Sequence, residues 1–121
     1  MKENKKYKNF KYKEYENCSF MVGNYPMNSD AMSIAIIDDE GIVTVPTVNM
    51  PGYCYDINTA TIKNYSENSG MTKFLKKLGV VKEVYSKRKA NNFCSNSETI
   101  DFCEINIEKL KQYSSQFDYK Y

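Results

Sequence analysis

Three consecutive acids, Asp38, Asp39 and Glu40, are the densest chemistry-bearing cluster in this 121-residue chain. Paired carboxylates can hold a cation or share general acid and base work, but these run directly into Gly41 between two apolar alternating segments, and the ligand spacing of a calcium loop is absent. That context reads as a solvated hairpin turn. Ser66 lies in the run Asn64-Tyr65-Ser66-Glu67-Asn68, with no histidine anywhere in the chain to activate it. The missing imidazole removes the commonest general base and zinc ligand, and with it most familiar catalytic triads. Ser66 is better placed as a helix cap than as a nucleophile. The four cysteines, Cys18, Cys54, Cys94 and Cys103, form no CxxC pair. Buried thiols are expected, with no metal and no cofactor.

Charge is strongly segregated although the net value is only +2. Residues 1 to 13 carry six lysines against one glutamate, and residues 14 to 62 carry seven acids and no base. Residues 63 to 89 carry eight bases against two glutamates, before a mildly acidic end. Such blocks either complement one another within the fold or present separate faces to partners. Asp38, Asp39, Glu40 and Asp56, with Tyr53 and Tyr55 beside them, are the candidate protein-binding set. Lys5, Lys6, Lys8, Lys11 and Lys13, interleaved with aromatics, form with Lys87, Arg88 and Lys89 the candidate nucleic-acid set. Arg88 is the single arginine, which favours non-specific phosphate contact over bidentate base readout.

The elements that must position these groups follow from periodicity. Apolar residues make up 41% and charged residues 26% of the chain, as in an ordinary single globular domain over 1–121, with residues 1–6 expected to fray. Tyr7 to Glu16 and Cys18 to Val22 suggest an opening hairpin around Glu16 and Asn17, and Asn24 to Asp30 suggests a loop. Met32, Ile34 and Ile36 alternate into the acidic turn, and Ile42 to Val48 returns as a strand interrupted by Pro46. Ala60 to Tyr65, Val80 to Tyr85 and Thr99 to Ile105 are further strands, with a basic loop from Ser86. Met71, Phe74, Leu75 and Leu78 fall at helical spacing and give a helix over about 70–78 with Asn68 or Ser69 as its cap. Asn106 starts a terminal helix through about Phe117. The fold class is α+β, a small twisted antiparallel sheet with these helices packed on it. No apolar run is long enough to span a membrane, and no secretory leader is evident, so a cytoplasmic protein is expected.

Val48, Asn49 and Pro51, followed by Lys63, Tyr65, Ser66, Glu67, Asn68 and Gly70 and then by Gly79 and Val80, carry a resemblance. They resemble a family of small proteins of phages, plasmids and conjugative elements that is known only as a domain of unknown function. The resemblance implies a setting: accessory proteins of mobile elements often bind and inhibit host defence machinery. A non-enzymatic binder of the anti-CRISPR or anti-restriction type, acting on a host protein or ribonucleoprotein complex, is the leading expectation. A nucleic-acid-binding accessory module is the alternative. Asn49, Pro51, Gly52, Tyr65, Ser66, Glu67, Asn68 and Gly70 are expected to be structural, capping the short helix and tying the proline turn to the sheet.

Overall fold

The computed structural model describes residues 7–50, 54–90 and 98–120. Their α+β fold places strands β1 (Phe10–Tyr12), β2 (Tyr15–Tyr25), β3 (Asn28–Asp38) and β4 (Gly41–Thr44) in one sheet. Strands β5 (Thr59–Lys63), β6 (Val81–Lys89) and β7 (Thr99–Ile105) form a second, antiparallel sheet in the order β5-β7-β6. Helix α1 (Met71–Leu78) precedes β6, and helix α2 (Ile107–Gln112) is followed by β8 (Ser114–Phe117), which rejoins the first sheet. Alternation decides which side chains are inside. Phe20 faces Ile36 and Val22 faces Ile34 across the β2–β3 ladder, and these side chains enter one buried core with Ile62, Leu75, Cys103 and Ile105 from the second half of the chain. No helix among the described residues is long and apolar enough to cross a membrane.

The first hairpin turns earlier than expected. Tyr12 pairs with Tyr15, so Lys13 and Glu14 make the turn, and Lys13 takes a left-handed φ of 53°. Asn17, expected in that turn, instead has a φ of 55° inside β2, where the Asn9 amide donates to the carbonyls of Asn17 and Cys18 at 3.3 and 3.2 Å. The asparagine supplies the left-handed residue of an irregularity in the ladder, which looks like a turn signal in sequence. The loop expected over 24–30 is likewise only a tight turn at Pro26 and Met27, because Tyr25 already pairs with Asn28.

Pro46 divides the strand expected over 42–48 between the two sheets. β4 stops at Thr44, and the chain then crosses to the edge of β5, where Lys63 N–H donates to Pro46 O at 2.9 Å and Val48 N–H to Thr61 O at 3.1 Å. Thr47 sits between these bonds and stitches the sheets. Its Oγ1 accepts the Ile34 N–H at 3.0 Å and shares a 2.9 Å hydrogen bond with the Tyr25 hydroxyl. β4 pairs only with Ile36 to Asp38, so Thr47 satisfies an amide on the stretch of β3 that β4 leaves uncovered. Thr47→Val, which keeps shape but removes the acceptor, should lower unfolding free energy by about 1–3 kcal/mol. Urea denaturation that leaves the variant as stable as the parent would remove Thr47 from this role.

Helix α1 buries Met71 and Leu75 and ends at Gly79, whose φ of 84° is open to glycine at little cost. α2 has the expected cap, Asn106 Oδ1 accepting the Lys109 N–H at 3.1 Å, but it ends at Gln112 and not at Phe117. Ser114 Oγ donates to Leu110 O at 2.6 Å, and the following residues run parallel to β2, with Phe20 opposite Ser114 and Val22 opposite Phe117. A sheet edge left open beyond β1 outweighs helical continuation through two serines. β6 also exceeds its expected length. Lys87, Arg88 and Lys89 pair with Asp101, Ile100 and Thr99, so the expected basic loop is the distal half of a strand.

Candidate functional site

Asn64 follows the last residue of β5, where the chain leaves the sheet to build α1. Its backbone N–H donates to Thr99 O at 2.8 Å, which fixes the side chain toward the helix. Asn64 Oδ1 then accepts the Thr72 N–H at 2.7 Å, so the helix is capped from the strand. Neither Asn68 nor Ser69 caps α1: Gly70 occupies the cap position and no side chain of the cap residue bonds there. Asn64 Nδ2 donates to Thr72 Oγ1 at 2.9 Å and to Asp101 Oδ2 at 3.0 Å. Asp101 is 1% exposed, and its other oxygen accepts the Thr99 hydroxyl at 2.7 Å. Lys87 Nζ completes the carboxylate's surroundings at 3.4 Å from Oδ2. A buried carboxylate is tolerated only with this density of donors.

This polar floor opens into a cavity of about 470 Å³ between α1 and the β5-β7-β6 sheet. Lys73 and Lys76 line it from the helix, and Lys87 lines it from β6. Three lysines therefore line the cavity, one of them, Lys87, already paired with the Asp101 carboxylate that Asn64 and Thr99 also hold. The Thr72 hydroxyl accepts from Asn64 and keeps its own proton for donation. Cys103, on the same face of β7, is pushed up from 9.0 to about 12, first by burial and then by the Asp101 charge, with Lys87 and Lys76 opposing. A thiol held neutral in this way is a packing group, not a nucleophile. Among the described residues no group of three His, Cys, Asp or Glu is arranged to hold a metal ion. The chemistry on offer is ammonium donors and hydroxyls presented to an anionic oxygen.

The residues singled out in sequence are distributed differently from expectation. Asp38 and Asp39 line a separate cavity of about 440 Å³ with Ser19 and Ser115, and Asp38 Oδ1 accepts the Glu40 N–H at 2.8 Å. Asp56 is exposed on the far face of the β5-β7-β6 sheet. Tyr55 is not a surface contact residue: it is buried, its hydroxyl bonded to Thr61 Oγ1 at 2.8 Å and accepting the Met50 N–H at 3.0 Å. Tyr53, Pro51, Gly52, Cys94, Lys5 and Lys6 lie outside the described residues. Of the remaining basic set, Lys11 pairs with Glu16 at 3.4 Å, and Lys13 donates to Glu67 O at 2.7 Å. Lys8, two residues ahead of β1, donates its backbone N–H to Gln112 O at 2.6 Å. Lys87 shares a cavity with Lys73 and Lys76 of α1, away from Lys8, Lys11 and Lys13.

Within the Ser66–Gly70 segment, Asn68 is the anchor. It is fully buried, accepts from Thr44 Oγ1 at 2.5 Å and donates to Val45 O at 2.8 Å, which ties the turn before α1 to the end of β4. Glu67 serves through its carbonyl, which also accepts the Tyr12 hydroxyl at 3.3 Å. Sequence reasoning missed Asn64, Thr72, Thr99 and Asp101. The available signal was parity: Thr99 and Asp101 share the inward positions of β7 with Cys103 and Ile105, so two polar residues stand on a core-facing row. No protein-family model, no curated protein and no solved structure matches the chain.

Proposed function

We propose that this protein is a non-enzymatic binding protein that holds the phosphate backbone of a nucleic acid against the Lys73, Lys76 and Lys87 rim. The observation that carries the reading is that these three lysines, from two elements, line one cavity floored by Asn64, Thr72, Thr99 and Asp101. Lysine acts there as a point charge, giving affinity without sequence preference, and the scarcity of arginine fits that mode. The basic block over 63–89 contributes both elements, and three of its eight bases line the cavity. The resemblance in the Val48–Val80 stretch adds a setting, an accessory protein of a mobile element working in the cytoplasm.

Fluorescence anisotropy with a labelled oligonucleotide, titrated between about 50 and 300 mM salt, tests this, because phosphate neutralisation releases counterions. The joint variant Lys73→Gln, Lys76→Gln should bind at least about tenfold more weakly at low salt, with a log–log salt slope shallower by about 2. Both side chains are solvent-facing partners of no carboxylate described above, so the melting temperature should hold. Absence of binding by the parent at about 50 mM salt, where electrostatic binding is strongest, sinks the reading.

A second reading keeps the protein partner. Ile42 is 62% exposed immediately after the acidic turn of Asp38, Asp39 and Glu40, an apolar contact beside three carboxylates at the tip of a hairpin. In that reading the tip engages a host defence complex and blocks it. The two readings part on one comparison. Ile42→Lys should abolish protection of a plasmid under active defence and spare oligonucleotide binding if the tip is the working surface.

A further inference from the structure

The face of the β5-β7-β6 sheet that looks away from the core carries a row of aromatic rings. Phe102 and Glu104 occupy the positions of β7 between the inward Asp101, Cys103 and Ile105. The Tyr55 ring lies 5.9 Å from Phe102 on one side and Tyr85 lies 6.0 Å from it on the other, so the row crosses from the β5 side to the β6 edge. Tyr55 is buried, whereas Tyr85 is 51% exposed at the open end. A cavity of about 400 Å³ lies on this face, with Asp56 and Glu104 among its walls and the exposed Ile57 at its margin. Glu104 accepts the Tyr85 hydroxyl at 2.9 Å through Oε1 and meets Lys82 at 3.5 Å through Oε2.

We propose that this face is a second binding surface, for an arginine-bearing peptide segment whose guanidinium stacks on Tyr85 and Phe102 and meets the carboxylates of Asp56 and Glu104. Aromatic faces with flanking carboxylates suit a planar cation, which is weakly hydrated and donates in a fork. A nucleobase could stack on the same rings, but its phosphates would meet Asp56, Glu83 and Glu104 instead of the lysines that the opposite face provides. The Tyr85 phenol reports that local field. It is pushed up, first by its hydrogen bond to Glu104, then by burial and by the charges of Glu104, Glu83 and Asp56. Lys82 offsets part of the acidity, but as one half of an exposed pair it is readily displaced by a better-oriented cation.

The test is a titration of the full-length, isotope-labelled protein with an acetylated, amidated hexapeptide of alternating Gly and Arg, followed by amide correlation spectra. Shifts should centre on residues 54–58, 83–86 and 102–104, and a Gly/Glu hexapeptide should produce none. Tyr85→Ala should weaken the peptide about threefold to tenfold while Tyr85→Phe stays within about twofold, since the ring and not the hydroxyl makes the contact. Glu104→Gln should weaken it comparably. The lysine variant Lys73→Gln, Lys76→Gln should bind the peptide as the parent does, which separates this surface from the phosphate-binding one. Shifts centred on Asp38–Glu40, parental affinity in Tyr85→Ala, or an oligonucleotide displacing the peptide from these residues would each overturn the proposal.

Discussion

Asn64→Ala should lower the unfolding free energy by about 3–5 kcal/mol, because it strands a buried charge and a helix amide together. The substitution leaves Thr72 N–H without its acceptor and takes from Asp101 Oδ2 the 3.0 Å donor, so that only Lys87 faces that oxygen. An ordinary lost hydrogen bond contributes about 1 kcal/mol, and the excess comes from the desolvated carboxylate that remains. Equilibrium urea denaturation measures the loss, against a total of about 5–15 kcal/mol for a domain of this kind. A double-mutant cycle with Asp101→Asn identifies the cause. If the carboxylate is the source, the second substitution should recover part of the loss, since a neutral amide costs less to leave underpaired. A loss below about 1 kcal/mol for Asn64→Ala would mean that the network does not hold α1. In the folded fraction the same variant should loosen the first turn of α1 and weaken phosphate binding through Lys73 without touching that lysine.

The second large effect appears at alkaline pH. Burial and Asp101 raise the Cys103 thiol from 9.0 to about 12 in the folded protein. The folded state therefore keeps a proton that the unfolded chain releases above about pH 9. Between those values the unfolded state binds fewer protons, so stability falls as pH rises, by up to about 1.4 kcal/mol per unit. Below pH 9 this contribution is fully present. Tyr12, Tyr25 and Cys18 are also raised, chiefly by burial, and act in the same direction. Cys103→Ala should be less stable at pH 8 because it opens a small gap in the core, yet its stability should decline less steeply between pH 9 and 11. Parallel declines in parent and variant would show that Cys103 is not the responsible group.

What could be read from the residues alone was decided by local signals of one kind. The strand over 99–105, the Asp38–Gly41 turn and the helix ending at Gly79 rest on alternation, a glycine at a turn and an amphipathic stripe. Each is a short-range effect and the structure has each nearly where the pattern puts it. The misplaced elements are those for which a distant partner decides. Residues 114–117 leave helix for strand because β2 offers an open edge far away in sequence. Residues 86–89 are strand because β7 continues beside them. The same limit hid the candidate site. Lys73 and Lys76 are a solvated helix face until β6 brings Lys87 to the same cavity, and Asn64 is one more residue of the strand expected over 60–65 until Asp101 is found beside it. The acidic set was legible as a charge excess, but three-dimensional placement split it between the β3–β4 tip and the outer sheet face.

The parallel pairing of β8 with β2 has a kinetic consequence. β1 and β8 lie end to end along the same side of β2, with Lys8 N–H bonded to Gln112 O and Phe20 N–H to Tyr113 O. During synthesis the β2–β3 hairpin can close early, but half of the other β2 edge stays bare until residues 114–117 have left the ribosome. Loop closure over that separation makes the pairing a late event, and the waiting edge, with Phe20 and Val22 beside it, is the place where a nascent chain would meet a second one. Folding speed and aggregation in this protein should therefore respond more to changes over 114–117 than to changes of equal thermodynamic cost in the β2–β3 hairpin.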